Sequence, residues 1–267
     1  MSRFPVEWLN LREPYDIAAR NPVVLESVRK AFCDRSGICV LDLACGTGST
    51  LRAISAVLPR YQEWHLVDHD ASHLSQAAAL ACPPHRMITT KKMDLAHQLD
   101  CALDGSMQFV TTSALLDLVS SEWLDMLITA LAARRLPFYA ALTYDGCTVV
   151  EPADALDFEL LACFNRHQRS DKGFGPALGP AASNALAQGF EQRGYACLQG
   201  RSDWVLGTDD VAIQEAVFQD WATAADGKLA SAEVQAWLAR RRAHLVQRRS
   251  SLRVGHVDCF ALPIGMR

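Results

Sequence analysis

The sequence predicts an α/β fold with three layers, in which a mostly parallel sheet lies between two layers of helices. Short apolar runs of strand length alternate with helical patterns of about 10–15 residues, and this alternation is typical of βαβ units. The runs are apolar throughout rather than at every second position, as expected for strands that are covered on both faces. The first run, which follows Gly37, ends in a turn with two glycines, and open α/β sheets bind ligands at such a turn.

Five strands form the predicted parallel part, and helices lie between most of them. The strand candidates span residues 38–44, 64–68, 86–95, 107–115 and 137–144. Helices are predicted over 51–59, 71–84 and 120–135, where apolar residues recur at helical spacing. Prolines end the first two of these helices.

Further elements are predicted on either side of this part. Asn21 and Pro22 form a typical helix start, because the asparagine side chain caps free N–H groups and proline suits the first turn. A shorter helical piece precedes them over 13–20. Beyond residue 144, the pattern predicts helices over 153–167, 181–194, 209–224 and 231–249, and strands over 196–206 and 254–264.

Composition restricts the class of protein. Half of the 267 residues are apolar, which is ample for a buried core, and the net charge of -4 gives no overall attraction to nucleic acid or to an anionic membrane. No apolar run approaches the ~18 residues that a membrane span needs. The N-terminal segment carries charges where a signal peptide has an apolar stretch. The chain is therefore expected in the cytoplasm.

The cysteines indicate neither a disulfide framework nor a zinc site. Nine are scattered along the chain, their number is odd, and no two stand in a C-x-x-C pattern. Most lie in apolar stretches, where we expect them to pack as small hydrophobic residues. They are Cys33, Cys39, Cys45, Cys82, Cys101, Cys147, Cys163, Cys197 and Cys259.

The stretch VLDLACGTGST, residues 40–50, predicts a nucleoside-binding site. Gly46, Thr47 and Gly48 form a turn between the first strand and the first helix. A ligand can touch the main chain there, and the helix N-terminus can face a negatively charged group. Asp68 ends the second strand, where its carboxylate can bind both hydroxyls of a ribose. A cofactor that contains a nucleoside is therefore expected.

Three features separate the possible cofactors. Leu51 stands where the dinucleotide fingerprint has its third glycine, and no G-K-[ST] of a phosphate-binding loop occurs, so an NAD-dependent enzyme is the more distant alternative. Asp42, near the turn, is awkward for a pyrophosphate but suits a ligand that carries an ammonium or sulfonium group. S-adenosylmethionine has ribose, adenine and a cationic methionyl group, and it fits.

Four motifs in register resemble those of class I S-adenosylmethionine-dependent methyltransferases. They are VLDLACGTGS, in which Ala44 replaces the usual first glycine, then LVDHD, MDL and FVTTSALLDLV, and they cover roughly residues 36–145. The resemblance implies that Asp68 binds the ribose and that His69 lies beside the adenine. It also implies that the loop with Asp94 and Leu95 reads the adenine amino group. Ser113 and Ala114 would lie beside the methionyl end.

The family fold is Rossmann-like, with a seven-stranded sheet whose last strand is antiparallel. The strands at 196–206 and 254–264 would supply the closing hairpin, with the helices at 209–249 inserted between them. We expect a single methyltransferase domain over 1–267, made of an N-terminal helical cap (1–35), a cofactor-binding core (36–145) and substrate-side helices, loop and terminal strands (146–267).

The resemblance implies methyl transfer from S-adenosylmethionine to an oxygen or nitrogen of a small molecule. Because the sulfonium is already activated, alignment of the acceptor supplies much of the barrier reduction, and a general base is needed only where the acceptor must lose a proton. Two alternatives remain open. One is a cofactor-binding scaffold of the same fold without turnover. The other is an RNA methyltransferase that would use the six arginines between 240 and 253, although Val234, Trp237, Leu238 and Leu245 predict that one face of that helix is buried and the arginines are solvated.

Residues outside the four motifs are candidates for the acceptor side. Arg12 and Tyr15 would contact the cofactor carboxylate or cap the pocket; the alternative is a surface arginine and a packed tyrosine. His167, a possible base, and Tyr144, at the end of the fifth strand, are the candidate catalytic residues. The groups around His167 suit an anionic or hydrogen-bonding acceptor, although cationic groups are also favourable at a solvated helix end. They are Asn165, Arg166, Arg169 and Lys172.

The segment HLVDHDASH is rich in metal-ligating residue types. His69 and His73 are one helical turn apart, a spacing that two ligands can use. The resemblance already assigns Asp68 to the ribose, and His65 is expected to point into the sheet packing. No metal site is predicted.

Overall fold

The computed structural model describes residues 4–80 and 83–266, and these contain one mixed sheet of eight strands. The strands are β1 (Gly37–Leu43), β2 (Tyr61–Asp68), β3 (Arg86–Lys92), β4 (Phe109–Ser113), β5 (Phe138–Glu151), β6 (Tyr195–Arg201), β7 (Trp204–Leu206) and β8 (Ser251–Pro263). Their order is β3-β2-β1-β4-β5-β8-β6, and β7 also pairs with β8.

The first five strands are parallel, as the apolar runs predict. Val40 and Leu43 of β1 and Phe109 of β4 are fully buried, which fits strands that are covered on both faces. The chain order reverses between β1 and β4, so a crevice opens at the carboxyl ends of these two strands. This crevice holds the site described below.

The other end of the sheet is antiparallel, as the resemblance implies. β8 lies between β5 and β6 and runs against both, and two helices of the chain separate it from β7. The strand predicted over 196–206 is in fact two strands, because the chain breaks at Ser202 and Asp203 and continues as β7 against β8. β5 also runs on to Glu151, past its predicted end at 144, through two register shifts against β8.

Helices cover both faces of the sheet. They are α1 (Val6–Ala19), α2 (Pro22–Phe32), α3 (Ser49–Ile54), α4 (Ala71–Ala78), α5 (Leu99–Ala102), α6 (Ser121–Ala133), α7 (Asp157–Gln168), α8 (Ala182–Glu191), α9 (Val211–Ala224) and α10 (Ser231–Val246). One core joins α2, α3 and α4 to one face, and a second core joins α5, α6 and α8 to the other. A third core packs α7, α9 and α10, with side chains of α1, on β7 and the extended ends of β5 and β8.

The N-terminal helix is longer than the piece predicted over 13–20. α1 begins at Val6 and continues through Pro14, which lacks the N–H that a helix interior normally donates. Tertiary contacts compensate for this loss. The Trp204 indole Nε1 donates to Asp16 Oδ1 at 2.9 Å, and the rings of Trp8 and Trp204 meet edge to face at 6.3 Å.

The arginine-rich helix α10 departs from the prediction at one position. Arg241 is fully buried, whereas the sequence places all of these arginines on a solvated face. Its guanidinium forms an ion pair with Asp157 and lies 5.7 Å from the ring centroids of both Phe218 and Trp237. Arg241 stands one turn after Trp237 on the apolar face, so its buried charge is balanced by Asp157 and the two rings.

The predicted helix start at Asn21 is confirmed. Its side-chain oxygen accepts hydrogen bonds from the N–H groups of Val23 and Val24, and its amide donates to the Arg201 carbonyl of β6 at 2.9 Å. Asn21→Ala is expected to lower the free energy of unfolding by about 1–2 kcal/mol, because the cap and one tie to the sheet are lost together. Urea unfolding followed by circular dichroism measures this change, and a loss below about 0.3 kcal/mol would contradict it.

The cysteines are free thiols throughout the described residues, and Cys82 lies outside them. Cys45, Cys163 and Cys259 are buried as expected, whereas Cys33, Cys101 and Cys147 are exposed and do not pack in the core. Among the helices of residues 4–80 and 83–266, none has the length and apolar character needed to cross a bilayer.

Candidate functional site

The three central strands each bend near the crevice at a residue with left-handed backbone. Ala44 follows β1 with φ of 53°, Ala114 follows β4 with φ of 50°, and Leu142 lies at a register shift of β5 with φ of 53°. Side chains other than glycine adopt this conformation at a cost of about 1 kcal/mol or more, and such strain is concentrated at functional sites. Ala44 therefore holds a conformation that suits the glycine it replaces in the motif.

The two glycines of the turn have different neighbours. Gly46 has φ of 53° and borders the crevice, and a side chain there would lie 3.3 Å from Leu9 of α1. Gly48 has φ of 86° and precedes α3, and a side chain there would lie 2.9 Å from Leu80. Gly46 thus leaves main chain open beside the crevice, whereas Gly48 permits close packing beside α4.

Asp68, the predicted ribose ligand, lines the crevice. One carboxylate oxygen accepts the N–H of Gly46 at 2.9 Å and the other accepts the N–H of Asp70 at 2.9 Å. The ring Nδ1 of His69 lies 3.3 Å and that of His73 3.6 Å from the second oxygen. Asp68 is 4% exposed, and each carboxylate oxygen can accept more than one hydrogen bond, so hydroxyl groups of a ligand in the crevice can donate to it.

Asp42 lies beneath the crevice rather than on its surface. It is fully buried and accepts a hydrogen bond from the Thr111 hydroxyl at 2.8 Å. Burial raises its pKa to about 7, although Thr111 and the nearby Arg20 oppose the rise. Asp42 therefore has no direct contact with the crevice, in contrast to the predicted role beside a cationic ligand.

Arg20 is a buried cation that the sequence analysis does not identify. It is 5% exposed, donates to the Ser113 hydroxyl at 3.1 Å and lies over the Tyr139 ring. It therefore fixes Ser113 from behind, while Ser113 and Ala114 line the crevice as predicted.

The crevice forms a first cavity under α1. Arg12 lines it as predicted and forms a bidentate ion pair with Asp16 at 2.9 and 3.2 Å. Glu13 on the same helix pairs with Arg52 of α3, which also donates to the Thr47 carbonyl at 2.7 Å. These contacts join the cap directly to the glycine turn.

The predicted adenine side is only partly present in the cavity wall. Leu95 and its neighbour Met93 line the first cavity. The Asp94 side chain is about half exposed and pairs with His97 at 2.9 Å, which lowers the pKa of the Asp94 carboxyl. Asp94 and Gly48 do not line this cavity.

A second cavity adjoins the first. Five rings form one of its walls, which we call the aromatic wall. Each ring lies next to the following one in the order Trp8, Trp204, His256, Tyr144 and Phe164. Successive ring centroids in this wall lie 6.3, 5.1, 6.1 and 5.7 Å apart. The residues that line both cavities are Phe4, Arg12, Ala114, Leu118 and Lys172.

The two candidate catalytic residues both line the second cavity. The Tyr144 hydroxyl donates to Asn165 Oδ1 at 2.9 Å, and burial raises the pKa of Tyr144, so it remains a protonated donor at neutral pH. His167 is exposed at the rim, and its two ring nitrogens lie 3.4 Å from Lys172 Nζ. Partial burial and then Lys172 lower the pKa of His167.

The predicted acceptor-side residues are only partly brought together. Lys172 lines both cavities, whereas Asn165, Arg166 and Arg169 line neither. Asn165 is occupied by Tyr144 and by the Gly146 carbonyl. Arg166 donates to Cys163 Sγ at 3.0 Å, and Arg169 is exposed at the end of α7. The apolar spacing of α7 places these arginines outward.

Tyr15 also lies away from both cavities. Its hydroxyl donates to Asp210 Oδ1 at 2.8 Å, just before α9. Burial and this bond raise the pKa of Tyr15 to about 12. Tyr15 therefore connects α1 to the helical layer, and of the predicted pair only Arg12 borders the cofactor cavity.

Two residues of the second cavity are absent from the sequence analysis. Asp117 lies on the turn that follows β4 and is 5% exposed, and its position in the motif FVTTSALLDLV, just beyond the carboxyl end of a strand, is a usable signal. His256 is 6% exposed in β8, with ring Nδ1 buried and without a hydrogen-bond partner among the described residues. A histidine within an apolar strand is a weaker signal.

One group of metal-ligating side chains lies on the sheet itself. Cys39, Glu63 and His65 are adjacent on β1 and β2, with potential ligand atoms within 4.8 Å of one another. His65 is half-exposed and not packed inside the sheet, and its ring contacts Glu63 at 3.1 Å and the Thr89 hydroxyl at 2.8 Å. These contacts already account for the grouping, which lies outside both cavities.

Comparisons with known proteins agree with this architecture. Residues 40–136 match a family model described as a methyltransferase domain. A cyclopropane-fatty-acyl-phospholipid synthase-like protein from Lactobacillus casei ATCC 334 is 13% identical over 97% of this chain and 94% of that chain, with a TM-score of 0.53. The YcgJ protein from Bacillus subtilis is 13% identical over 92% of this chain and 100% of that chain, with a TM-score of 0.50. At this identity, the two structures support the fold alone.

No curated protein sequence matches the chain. The family match begins within β1 and ends between α6 and β5, and this part carries the glycine turn, Asp68 and Ser113. The sheet order and the antiparallel end agree with the fold that the four motifs imply. Residues 40–136 therefore carry a methyltransferase domain, and the chain has the Rossmann-like fold that the four motifs imply.

Proposed function

We propose that this protein transfers a methyl group from S-adenosylmethionine to an oxygen or nitrogen of a small molecule, and that residues 1–267 act as one methyltransferase domain. The observation that carries the proposal is the pair of adjoining cavities at the carboxyl edge of the sheet. One has a carboxylate beside bare main chain, and the other is walled by aromatic rings. A cytoplasmic location remains a prediction.

The first cavity suits the cofactor group by group. Asp68 accepts ribose hydroxyls, and Gly46 and Thr47 offer main chain beside it. Met93 and Leu95 flank the adenine ring with apolar surface. Beside Gly46 there is open space, which a side chain at this position would fill up to Leu9. The hydrogen-bonding groups and the shape of the first cavity therefore both fit the cofactor.

Ser113 and Ala114 would hold the methionyl end near the junction of the two cavities. Ser113 and Ala114 line the first cavity, and Ala114 also lines the second. When bound, S-adenosylmethionine supplies an activated methyl group. The chain contributes alignment of the acceptor and exclusion of water, since α1 covers the first cavity and is joined to α3 through Glu13 and Arg52.

The arginines of α10 do not favour an RNA substrate. Arg240 pairs with Asp154, Arg241 with Asp157, Arg242 with Glu215, and Arg248, just beyond the helix, with Asp209. Phosphate groups would have to compete with these carboxylates. A small-molecule acceptor needs no such rearrangement.

Replacing Asp68 tests the cofactor site. Asp68→Ala is expected to weaken binding of S-adenosylhomocysteine at least about 30-fold, because charge-assisted hydrogen bonds contribute about 1.5–3 kcal/mol each. Isothermal titration calorimetry measures the affinity. Asp94→Ala is the matched comparison, since that carboxylate follows the neighbouring strand and faces His97, and we expect a change of less than about threefold.

Two outcomes would contradict the proposed site. If Asp68→Ala binds S-adenosylhomocysteine as tightly as the unchanged protein, Asp68 does not bind the ribose. If the unchanged protein does not bind S-adenosylhomocysteine, the proposed cofactor is wrong. Recovery of unreacted S-adenosylmethionine after incubation with an extract of candidate acceptors would instead support a scaffold without turnover.

A further inference from the structure

The second cavity defines the methyl acceptor, and this inference rests on the proposed function. Ala114, Leu118, Arg12 and Lys172 line both cavities, so the second cavity begins where the methionyl end of the cofactor would lie. A molecule bound there is the nearest partner for the transferred methyl group. The chemistry of the cavity walls therefore indicates the class of acceptor.

The shape and packing of the walls suit a planar aromatic molecule. The aromatic wall is continuous, and Trp221, Val217 and Leu142 add further apolar surface. Arg12, which lies 5.1 Å from the Trp204 ring centroid, is already paired with Asp16 and offers little free charge. Stacked or edge-to-face contact with such rings favours an aromatic ligand by about 0.5–1.5 kcal/mol per pair beyond area burial.

The pKa values of five titratable groups in the cavity are shifted in the direction that favours the neutral form of each group. Burial is the first cause in each case. It raises the pKa of Asp117 to about 6 and also raises the pKa of Tyr144. It lowers the pKa of His256 to about 3 with help from Arg12, and it lowers the pKa values of His167 and Lys172. Walls that disfavour their own charges also disfavour a charged ligand.

Asp117 is placed at the donor end of this cavity. Its turn directly follows Ser113 and Ala114, and both cations that influence its carboxyl, Arg12 and Lys172, belong to the shared lining. Asp117 lines the second cavity, and among the described residues it forms no salt bridge. A base titrating near neutral pH is well matched to receive a proton from a hydroxyl group.

We propose that the second cavity binds an uncharged, planar hydroxyaromatic acceptor and that Asp117 takes the proton of its hydroxyl group. The hydroxyl oxygen forms a bond to the methyl carbon, and the carbon–sulfur bond breaks with its electron pair remaining on sulfur. The hydroxyl proton passes to the Asp117 carboxylate and then to solvent. The products are a methyl ether and S-adenosylhomocysteine. The ring Nδ1 of His256 has no hydrogen-bond partner among the described residues, and in the neutral ring this nitrogen can donate to or accept from a second polar group on the ligand.

Binding of 2-naphthol to the protein saturated with S-adenosylhomocysteine tests the acceptor class. Calorimetry is expected to give a dissociation constant of about 0.5 mM or tighter for a ligand of this size. The charged analogues 2-naphthoate and 2-naphthylmethylammonium are expected to bind at least about tenfold more weakly. Absence of 2-naphthol binding, or equal binding of a charged analogue, would overturn the acceptor class.

A pair of phenylalanines on α7 tests the location. Phe164→Leu is expected to weaken 2-naphthol binding about threefold to tenfold, because Phe164 belongs to the aromatic wall. Phe158→Leu is the matched control, since Phe158 is 81% exposed on the same helix. Equal effects of the two variants would show that the ligand binds elsewhere and would overturn the placement.

Asp117→Asn tests the base. The single-turnover rate of methyl transfer to 2-naphthol is expected to fall about 10²–10⁴-fold, with binding of 2-naphthol and S-adenosylhomocysteine within about threefold of the unchanged protein. The unchanged protein is expected to react faster as the pH rises through about 6, where Asp117 ionises beside Arg12 and Lys172, and the variant is expected to lack this inflection. The exposed Asp226→Asn serves as control.

The outcomes separate this inference from the proposed function. If the unchanged protein binds no S-adenosylhomocysteine, the proposed function fails. If it binds that ligand and 2-naphthol but transfers no methyl group over a day, the hydroxyl is not the acceptor atom. An unchanged rate or a retained inflection in Asp117→Asn would overturn the role of Asp117.

Discussion

Asp258→Ala is expected to lower the free energy of unfolding by about 3–5 kcal/mol. The Asp258 carboxylate is fully buried in β8 and accepts three hydrogen bonds within the protein. Tyr139 and the main chain of Asn21 donate to one oxygen at 2.8 and 3.0 Å, and the main chain of Leu142 donates to the other at 2.9 Å. The substitution leaves all three donors buried without an acceptor.

The charge of Asp258 also matters. The buried Arg20 lies in its field and forms no salt bridge among the described residues, so the substitution removes a nearby negative charge from an already buried cation. Since Arg20 holds Ser113 and Leu142 lines the second cavity, Asp258 stabilises the region where the two cavities meet.

Urea unfolding followed by circular dichroism measures the effect of Asp258→Ala. Asp226→Ala is a suitable control, because Asp226 is exposed beyond α9 and a surface substitution changes stability by no more than about 0.5 kcal/mol. A loss below about 1 kcal/mol for Asp258→Ala would show that solvent or other groups replace the carboxylate.

The parallel half of the fold is readable from the sequence because its strands are buried on both faces. The continuous apolar runs at 38–44 and 107–115 can be buried on both sides only inside a sheet that is covered by helices on both faces. The helices between the strands then determine the handedness of each crossover connection. The late strands are less regular. The break at Ser202 and Asp203 depends on pairing with β8, a strand about fifty positions later in the chain. The residue pattern around the break does not indicate such a distant pairing.

The residues of the first cavity were predictable where main chain and strand ends determine the geometry. Gly46, Asp68 and Ser113 lie at ends of strands, so knowing the strands places them in one crevice. Asp94 differs, since its side chain turns to His97 three residues later and leaves the cavity wall to Leu95.

The acceptor side was less predictable because it is assembled from distant segments. The aromatic wall combines Trp8 of α1, Tyr144 of β5, Phe164 of α7, and Trp204 and His256 of β7 and β8. No spacing in the sequence indicates that these rings meet. Cationic residues at the end of α7 gave a stronger local signal, yet Arg166 and Arg169 point away from both cavities.

Asp42→Asn is expected to stabilise the protein in a pH-dependent manner, by about 3 kcal/mol more at pH ~8 than at pH ~4.5. Asp42 is fully buried, and burial raises its pKa from 3.8 to about 7, despite the hydrogen bond from Thr111 and the charge of Arg20, while Asp68 adds to the rise. The unfolded chain releases this proton near pH 4, whereas the folded chain holds it until about pH 7. Stability is therefore lost as the pH rises between these two values.

Asparagine keeps the shape of the side chain and removes the ionisation. Its carbonyl oxygen can still accept from Thr111, so the variant avoids the penalty of a desolvated carboxylate without leaving that hydroxyl unpaired. Comparing urea unfolding of the two proteins across the pH range isolates Asp42, because every other titrating group is shared.

A stability difference that stays constant with pH would contradict the raised pKa. A growing difference would mean that the charge of Asp42 opposes folding, so its presence beneath the glycine turn calls for a reason other than stability. Its carboxylate lies below Ala44, where a negative charge would favour the cationic end of the proposed cofactor through the field rather than by contact. Asp42→Asn should then bind S-adenosylmethionine less tightly relative to S-adenosylhomocysteine, which lacks the sulfonium charge.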